Sequence, residues 1–194
     1  MSLNRQTKHI VIFASGSGSN AETIIRYFKT HPTIRVIEVI SNNPNALVIK
    51  KAEQLHIPTH LITRHAFFES SEVLDHLQQR TTDWIILAGF LWLVPSPIIQ
   101  AFPQRIINIH PSLLPHHGGK GMYGMRVHEA VLQHQEKESG ITIHYVNDDF
   151  DKGEIIFQKK CTIDANETPL SLAKKIQQLE HAYYPKVIEK VICG

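Results

Sequence analysis

Asn108 and His110 lie two positions apart in the stretch RIINIHPSLLP, residues 105–115. Alternate residues of a β-strand point to the same face. An amide and an imidazole therefore emerge side by side at the carboxyl end of a strand opened by Ile106 and Ile107, where open α/β sheets keep their chemistry. Pro111 and Pro115 end the ladder and stiffen the exit. An amide donor beside an imidazole proton carrier suits a reaction that passes through an oxyanion. A polar strand end capping a turn would use the same residues, and the pair by itself leaves both readings open.

Elements on either side must position that pair. Residues 10–14 (IVIFA) form a buried-type strand, followed by a glycine turn and a helix with Ala21, Ile24, Ile25 and Phe28 on one face. Ser19 and Glu22 have capping-box spacing, and His31-Pro32 ends the helix. Strands are expected at 34–40, 59–63, 84–88 and 105–109, and helices at 46–55 and 69–79, with a short helix starting at Ser96-Pro97. Residues 127–134 read as helical. Residues 141–146 and 154–163 form a hairpin through DDFDKG, and Thr168-Pro169 starts a long last helix interrupted at Pro185. Strand–helix alternation predicts an α/β fold: a three-layer α/β/α sandwich with a mostly parallel sheet and a late antiparallel hairpin.

The 194 residues suit a single domain, 1–194, with a sizeable core. A formal charge of +2 without a basic block or acidic tail gives no support for nucleic-acid or membrane binding. Cys161 and Cys193 are too few for a disulfide framework, which points to a reducing cytoplasmic setting. No segment reads as a signal peptide or a membrane span.

GSGSN at 16–20 follows a strand and opens a helix, so its amides make an anion cradle suited to a phosphate; a plain tight turn is the alternative. With Ala21 it matches GxGxxA, but a dinucleotide site also wants an acid ending the second strand. Ser41-Asn42-Asn43 stands there, with Glu38 inside the strand. Asp148, Asp149 and Asp151 crowd the late turn, as turn formers or as a source of one carboxylate for His110. Thirteen histidines show no tight metal-ligand spacing, and no metal is expected. Residues 87–94 (LAGFLWLV) are core, or the wall of a slot for a flat ring. The glycine-rich segment 118–124 is a loop beside the site or a simple connection.

GSGSN, LAGF, NIHPSLLP, HYVNDDFDKG and EHAYYP together resemble the phosphoribosylglycinamide formyltransferase family, over about residues 9–191. The resemblance implies a Rossmann-like formyltransferase fold and transfer of a formyl group from 10-formyltetrahydrofolate to the amine of glycinamide ribonucleotide, in de novo purine biosynthesis. By that resemblance Asn108, His110 and Asp151 are catalytic, and Asp151 favours the imidazolium form of His110. Gly18, Ser19, Asn20, Gln177 and Glu180 hold the ribonucleotide. Leu91, Trp92, Leu93, Val94, Asn108, Asn147, Asp148 and Asp151 surround the folate pterin. Both partners are small molecules, and the protein is a monomer or a homodimer. Trp92 stands where many members have Arg, and the loop at 118–125 is longer than the common Tyr-Pro-Gly version. No basic match for the folate tail lies near residues 68–71. A methionyl-tRNA formyltransferase or a formyltetrahydrofolate hydrolase would share the Asn–His–Asp set but carry a further domain. A non-catalytic nucleotide-binding module would use GSGSN alone and leave Asn108 and His110 without a job.

Overall fold

The computed structural model of the chain describes residues 6–194, so the part of the expected domain at 1–5 lies outside the described residues. Its strands are β1 (Lys8–Phe13), β2 (Ile34–Ser41), β3 (Thr59–Leu61), β4 (Trp84–Leu87), β5 (Ile106–His110), β6 (Glu138–Tyr145) and β7 (Ile155–Thr162). They form one sheet in the order β3-β2-β1-β4-β5-β6-β7. β1 to β5 are parallel, and β6 and β7 are antiparallel additions. The helices are α1 (Ser19–Phe28), α2 (Leu47–Gln54), α3 (Arg64–Phe68), α4 (Glu72–Gln79), α5 (Ser96–Ala101), α6 (Met125–Gln133) and α7 (Pro169–Cys193).

The strand period of two sorts side chains into two cores. Ile10, Ile12, Ile86, Ile107 and Ile109 pack on one face against Ile24, Val48, Val127 and Ile176 from α1, α2, α6 and α7. Val11, Phe13, Ile85, Leu87 and Ile106 pack on the other against Phe67, Val73, Leu77 and Ile98 from α3, α4 and α5. Strand order reverses between β1 and β4, which opens a crevice beyond their carboxyl ends. Ser15 N–H donates to the Gly89 carbonyl at 3.0 Å and ties the two sides of that crevice together.

Several local expectations are corrected. Gly18, in the left-handed region at φ 70°, is the N-cap of α1, and Ser19 is already helical, so no Ser19–Glu22 capping box forms. A Cβ on Gly18 would lie 2.5 Å from Val48 Cγ2, so the turn needs glycine for close approach as well as for φ. The third strand stops at Leu61, because Thr63 turns to cap α3 by accepting the Ala66 N–H at 3.1 Å. The next helix begins at Glu72 and not Glu69, after a turn at Ser70 and Ser71. Pro185 does not interrupt α7. It forfeits one helical hydrogen bond, but Leu172 and Ile176 before it and Val187 and Ile188 after it are all buried in one core.

Gly153, which ends the segment DDFDKG, lies against β6. A Cβ there would fall 1.6 Å from the Tyr145 carbonyl oxygen. Gly153→Ala is therefore expected to lower unfolding stability by about 3 kcal/mol, as a backbone overpacking change. A denaturant titration with a wild-type midpoint would contradict that packing argument.

Candidate active site

One cavity of about 800 Å³ fills the crevice, within the size range of small-molecule sites. Three groups of residues reach it from different elements. The turn after β1 and the start of α1 line it together with α7. The segment after β4 lines it as well. The ends of β5 and β6 and the acidic turn complete the lining.

Ile107 and Ile109 enter the core under α7, so Asn108 and His110 point the opposite way, into the crevice. Antiparallel pairing sets Asn108 directly across from His144, and His110 across from Thr142. Asn108 Nδ2 donates to His144 Nε2 at 3.1 Å and lies 3.4 Å from Asp151 Oδ1. His144 Nδ1 faces the Tyr145 carbonyl at 2.7 Å, which can only accept. The ring proton therefore sits on Nδ1, and Nε2 is free to receive the Asn108 amide.

Asp151 adopts φ 56°, a left-handed turn conformation that short polar residues tolerate. Its Oδ2 lies 3.3 Å from His110 Nδ1 and accepts the Gly119 N–H at 2.9 Å. Oδ1 lies 3.6 Å from His144 Nε2. Burial pushes the Asp151 carboxyl up, but His110 and the Gly119 amide outweigh it and hold the carboxyl well below the usual carboxylate range. On the far side of the imidazole, His110 Nε2 donates to the His117 carbonyl at 2.8 Å. Both ring nitrogens thus face oxygen acceptors, an arrangement that a doubly protonated ring satisfies.

At the turn end, Asn20 Nδ2 donates to Glu180 Oε2 at 2.9 Å and Gln177 Nε2 donates to Ser19 Oγ at 3.1 Å. Asn20 Oδ1 is buried without a partner. The exposed amides at the N-terminus of α1 make this end attractive to an anion. Desolvation raises the Glu180 carboxyl above its usual value of 4.5, opposed by the Asn20 donor and the His110 charge. For an acid with a raised folded value, the ionised form costs stability; that cost is absent below 4.5 and grows as pH rises towards the folded value. Glu180→Gln is accordingly expected to match wild-type stability near pH ~4 and exceed it at about pH 7. Parallel denaturant curves at the two pH values check this, and a variant less stable at the higher pH would refute it.

In the segment after β4, Leu91, Trp92, Leu93 and Val94 all line the cavity. Leu91 N–H donates to Ser15 Oγ at 3.0 Å, and the Trp92 ring packs 5.7 Å from Phe67 and 5.4 Å from Phe68. Asn147 and Asp148 fall outside the cavity wall. Asn147 Oδ1 accepts the Asp149 N–H at 3.2 Å, and Asp148 accepts from Ser96 Oγ at 2.5 Å, so both side chains organise the turn. Glu38 pairs with His76 of α4 at 2.7 Å, away from the place where a dinucleotide ribose would need an acid.

His144 and His128 escaped the sequence reading. The available signal for His144 was a polar residue inside a buried strand, two positions after Thr142, and nothing local showed that it meets Asn108. His128 is 5% exposed with Nδ1 unpartnered, and its helix showed only an ordinary periodicity. Among the described residues no group of three or more His, Cys, Asp or Glu side chains could hold a metal ion, and no helix is long and apolar enough to cross a membrane.

A doubly wound sheet with an Asn–His–Asp cluster at its switch-point crevice defines a class. The chain belongs to the formyl transferase family, whose model matches residues 8–188. Its relatives narrow the class further. It is 38% identical over 187 residues to the chloroplastic phosphoribosylglycinamide formyltransferase of Arabidopsis thaliana, covering 93% of the chain and 64% of that protein's length. It is 35% identical to the phosphoribosylglycinamide formyltransferase of Bacillus subtilis, covering 95% of each. The crystal structure of phosphoribosylglycinamide formyltransferase from Bacillus halodurans superposes with a TM-score of 0.85 at 35% identity, over 95% of each chain.

Proposed function

We propose that the protein transfers the formyl group of 10-formyltetrahydrofolate to the amine of glycinamide ribonucleotide, a cytoplasmic step of purine biosynthesis. The observation that carries this reading is that one crevice is lined by all three groups: the anion turn, the Asn–His–Asp cluster and the apolar segment at 91–94. A phosphate on the turn at 16–20, with Gln177 and Glu180 beside it, sets the ribonucleotide amine towards β5. The slot at 91–94 takes the flat pterin, which brings the formyl carbon to Asn108 and His110.

The amine nitrogen attacks the formyl carbon and the carbonyl electron pair moves to oxygen. Asn108 Nδ2 donates to that oxyanion, exchanging its long contact to Asp151 for a charged acceptor. The His110 ring adds positive charge nearby. Its Nδ1, shared with Asp151, gives its proton to the departing folate nitrogen, and the proton lost from the attacking amine restores the ring. The bond to that nitrogen then breaks, leaving formylated ribonucleotide and tetrahydrofolate. Proximity of two bound reactants does much of the work. Steady-state release of tetrahydrofolate should depend on added ribonucleotide. Release of free formate at the same rate without it would replace this reading with a hydrolase.

A further inference from the structure

The backbone of residues 116–119 grips the cluster from both sides. Ser112 Oγ donates to the His116 carbonyl at 2.7 Å. The His117 carbonyl receives the His110 Nε2 proton, and the Gly119 N–H donates to Asp151 Oδ2. Between them Gly118 has no room for a side chain, since a Cβ would meet Leu114 Cδ2 at 2.4 Å and Asp151 Cβ at 3.3 Å. The imidazole and its carboxylate are thus held by two peptide groups of one short loop.

That loop does not hold its shape by local preference. His117 sits at φ 55°, in the left-handed region that few residues other than glycine occupy. Such backbone persists only where surrounding contacts enforce it. The His117 side chain supplies one: its Nε2 lies 3.2 Å from Glu136 Oε1, in the turn between α6 and β6. Its ring packs edge-on to His134, with centroids 5.2 Å apart, and His134 is pinned through Nδ1 to the Ala130 carbonyl at 2.7 Å. His117 is 11% exposed at its side chain, so the ring is packed down and not free in solvent.

We propose that His117 is a positioning residue. Anchored by Glu136, it orients the loop carbonyl that fixes the His110 ring, and the same loop places the Gly119 amide on Asp151. The effect on rate rests on the formyl-transfer reading above, whereas the effect on the His110 ring does not. A ring whose Nε2 proton has a fixed acceptor keeps one orientation, and loss of that restraint misplaces Nδ1 relative to Asp151 and to the reacting carbon.

The test compares His117→Ala, Glu136→Ala, the double variant and Glu136→Gln in the intact protein. Each alanine variant is expected to lower kcat about 10-fold with KM for both substrates within about twofold, because orientation and not ground-state binding is lost. The double variant should be no slower than the slower single one, since both act through one contact. Glu136→Gln keeps an oxygen acceptor and should recover most of the rate. Glu136 is 42% exposed at its side chain, so its removal opens no core. Proton NMR of the His110 ring supplies a readout independent of turnover: the Nε2 proton is protected from exchange in the wild type and loses protection in both alanine variants. Unchanged kcat together with a still-protected His110 proton would overturn the proposal, as would a double variant whose loss is the product of the singles. A wild type with the protected proton but no formyl transfer would sink the function and leave the positioning role standing.

Discussion

Asn108→Ala is expected to lower kcat by about 10²- to 10³-fold, the usual cost of removing one preorganised oxyanion donor. The residue sits at the strand end where Ile107 and Ile109 are fixed in the core, so the backbone that carries it does not depend on the amide. Its Nδ2 is the side-chain donor that bridges His144 and Asp151. Truncation removes that donor while the anion turn and the apolar slot, to which we assign binding, remain. The loss should therefore fall on kcat, with KM for either substrate changed little. A variant with wild-type kcat would remove Asn108 from the chemistry altogether.

Asp151→Asn is expected to be at least as severe, at about 10²- to 10⁴-fold in kcat, by analogy with carboxylates that orient a catalytic imidazole. The substitution keeps size and one oxygen acceptor, so the Gly119 contact can persist, but it removes the negative charge between two imidazoles. The same variant carries a stability signature. The Asp151 carboxyl is held below its usual value of 3.8, so its contribution is fully present above 3.8 and is lost as pH falls towards the folded value. The wild-type advantage over Asp151→Asn should thus be constant around neutrality and shrink below about pH 4. A gap that widened on acidification would reverse the assignment, and unchanged kcat would show that His110 needs no carboxylate.

How much of this was legible in the sequence follows from the range of the interactions. Asn108 and His110 could be placed together because strand periodicity is local, and two prolines mark where the strand stops. The turn at 16–20 was legible because glycines, a strand before and a helix after suffice to describe an anion cradle. Its detail was not: whether Ser19 caps α1 depends on Gly18 taking a left-handed φ, which requires the approach of Val48 from α2. Asp151 lies 43 positions from Asn108, and nothing in that spacing joins them. They meet because β6 returns antiparallel to β5 and Gly153 lets the following turn lie flat against Tyr145. His144 belongs to the same category, as the cross-strand partner of Asn108. Asn147 and Asp148 share the acidic turn with Asp151, yet their side chains hydrogen-bond to Asp149 N–H and to Ser96, a distinction that composition alone does not contain. Pro185 shows the converse, a strong local breaker overruled by the buried residues on both sides of it.

The most direct test of the central claim, that one crevice passes the formyl group straight between two bound substrates, is a single-turnover experiment with excess enzyme, ribonucleotide and co-substrate labelled in the formyl carbon. All label should appear in formylated ribonucleotide, one equivalent per tetrahydrofolate released, at a rate that falls with Asn108→Ala. Label recovered as free formate, or retained on the protein, would contradict direct transfer between the two substrates.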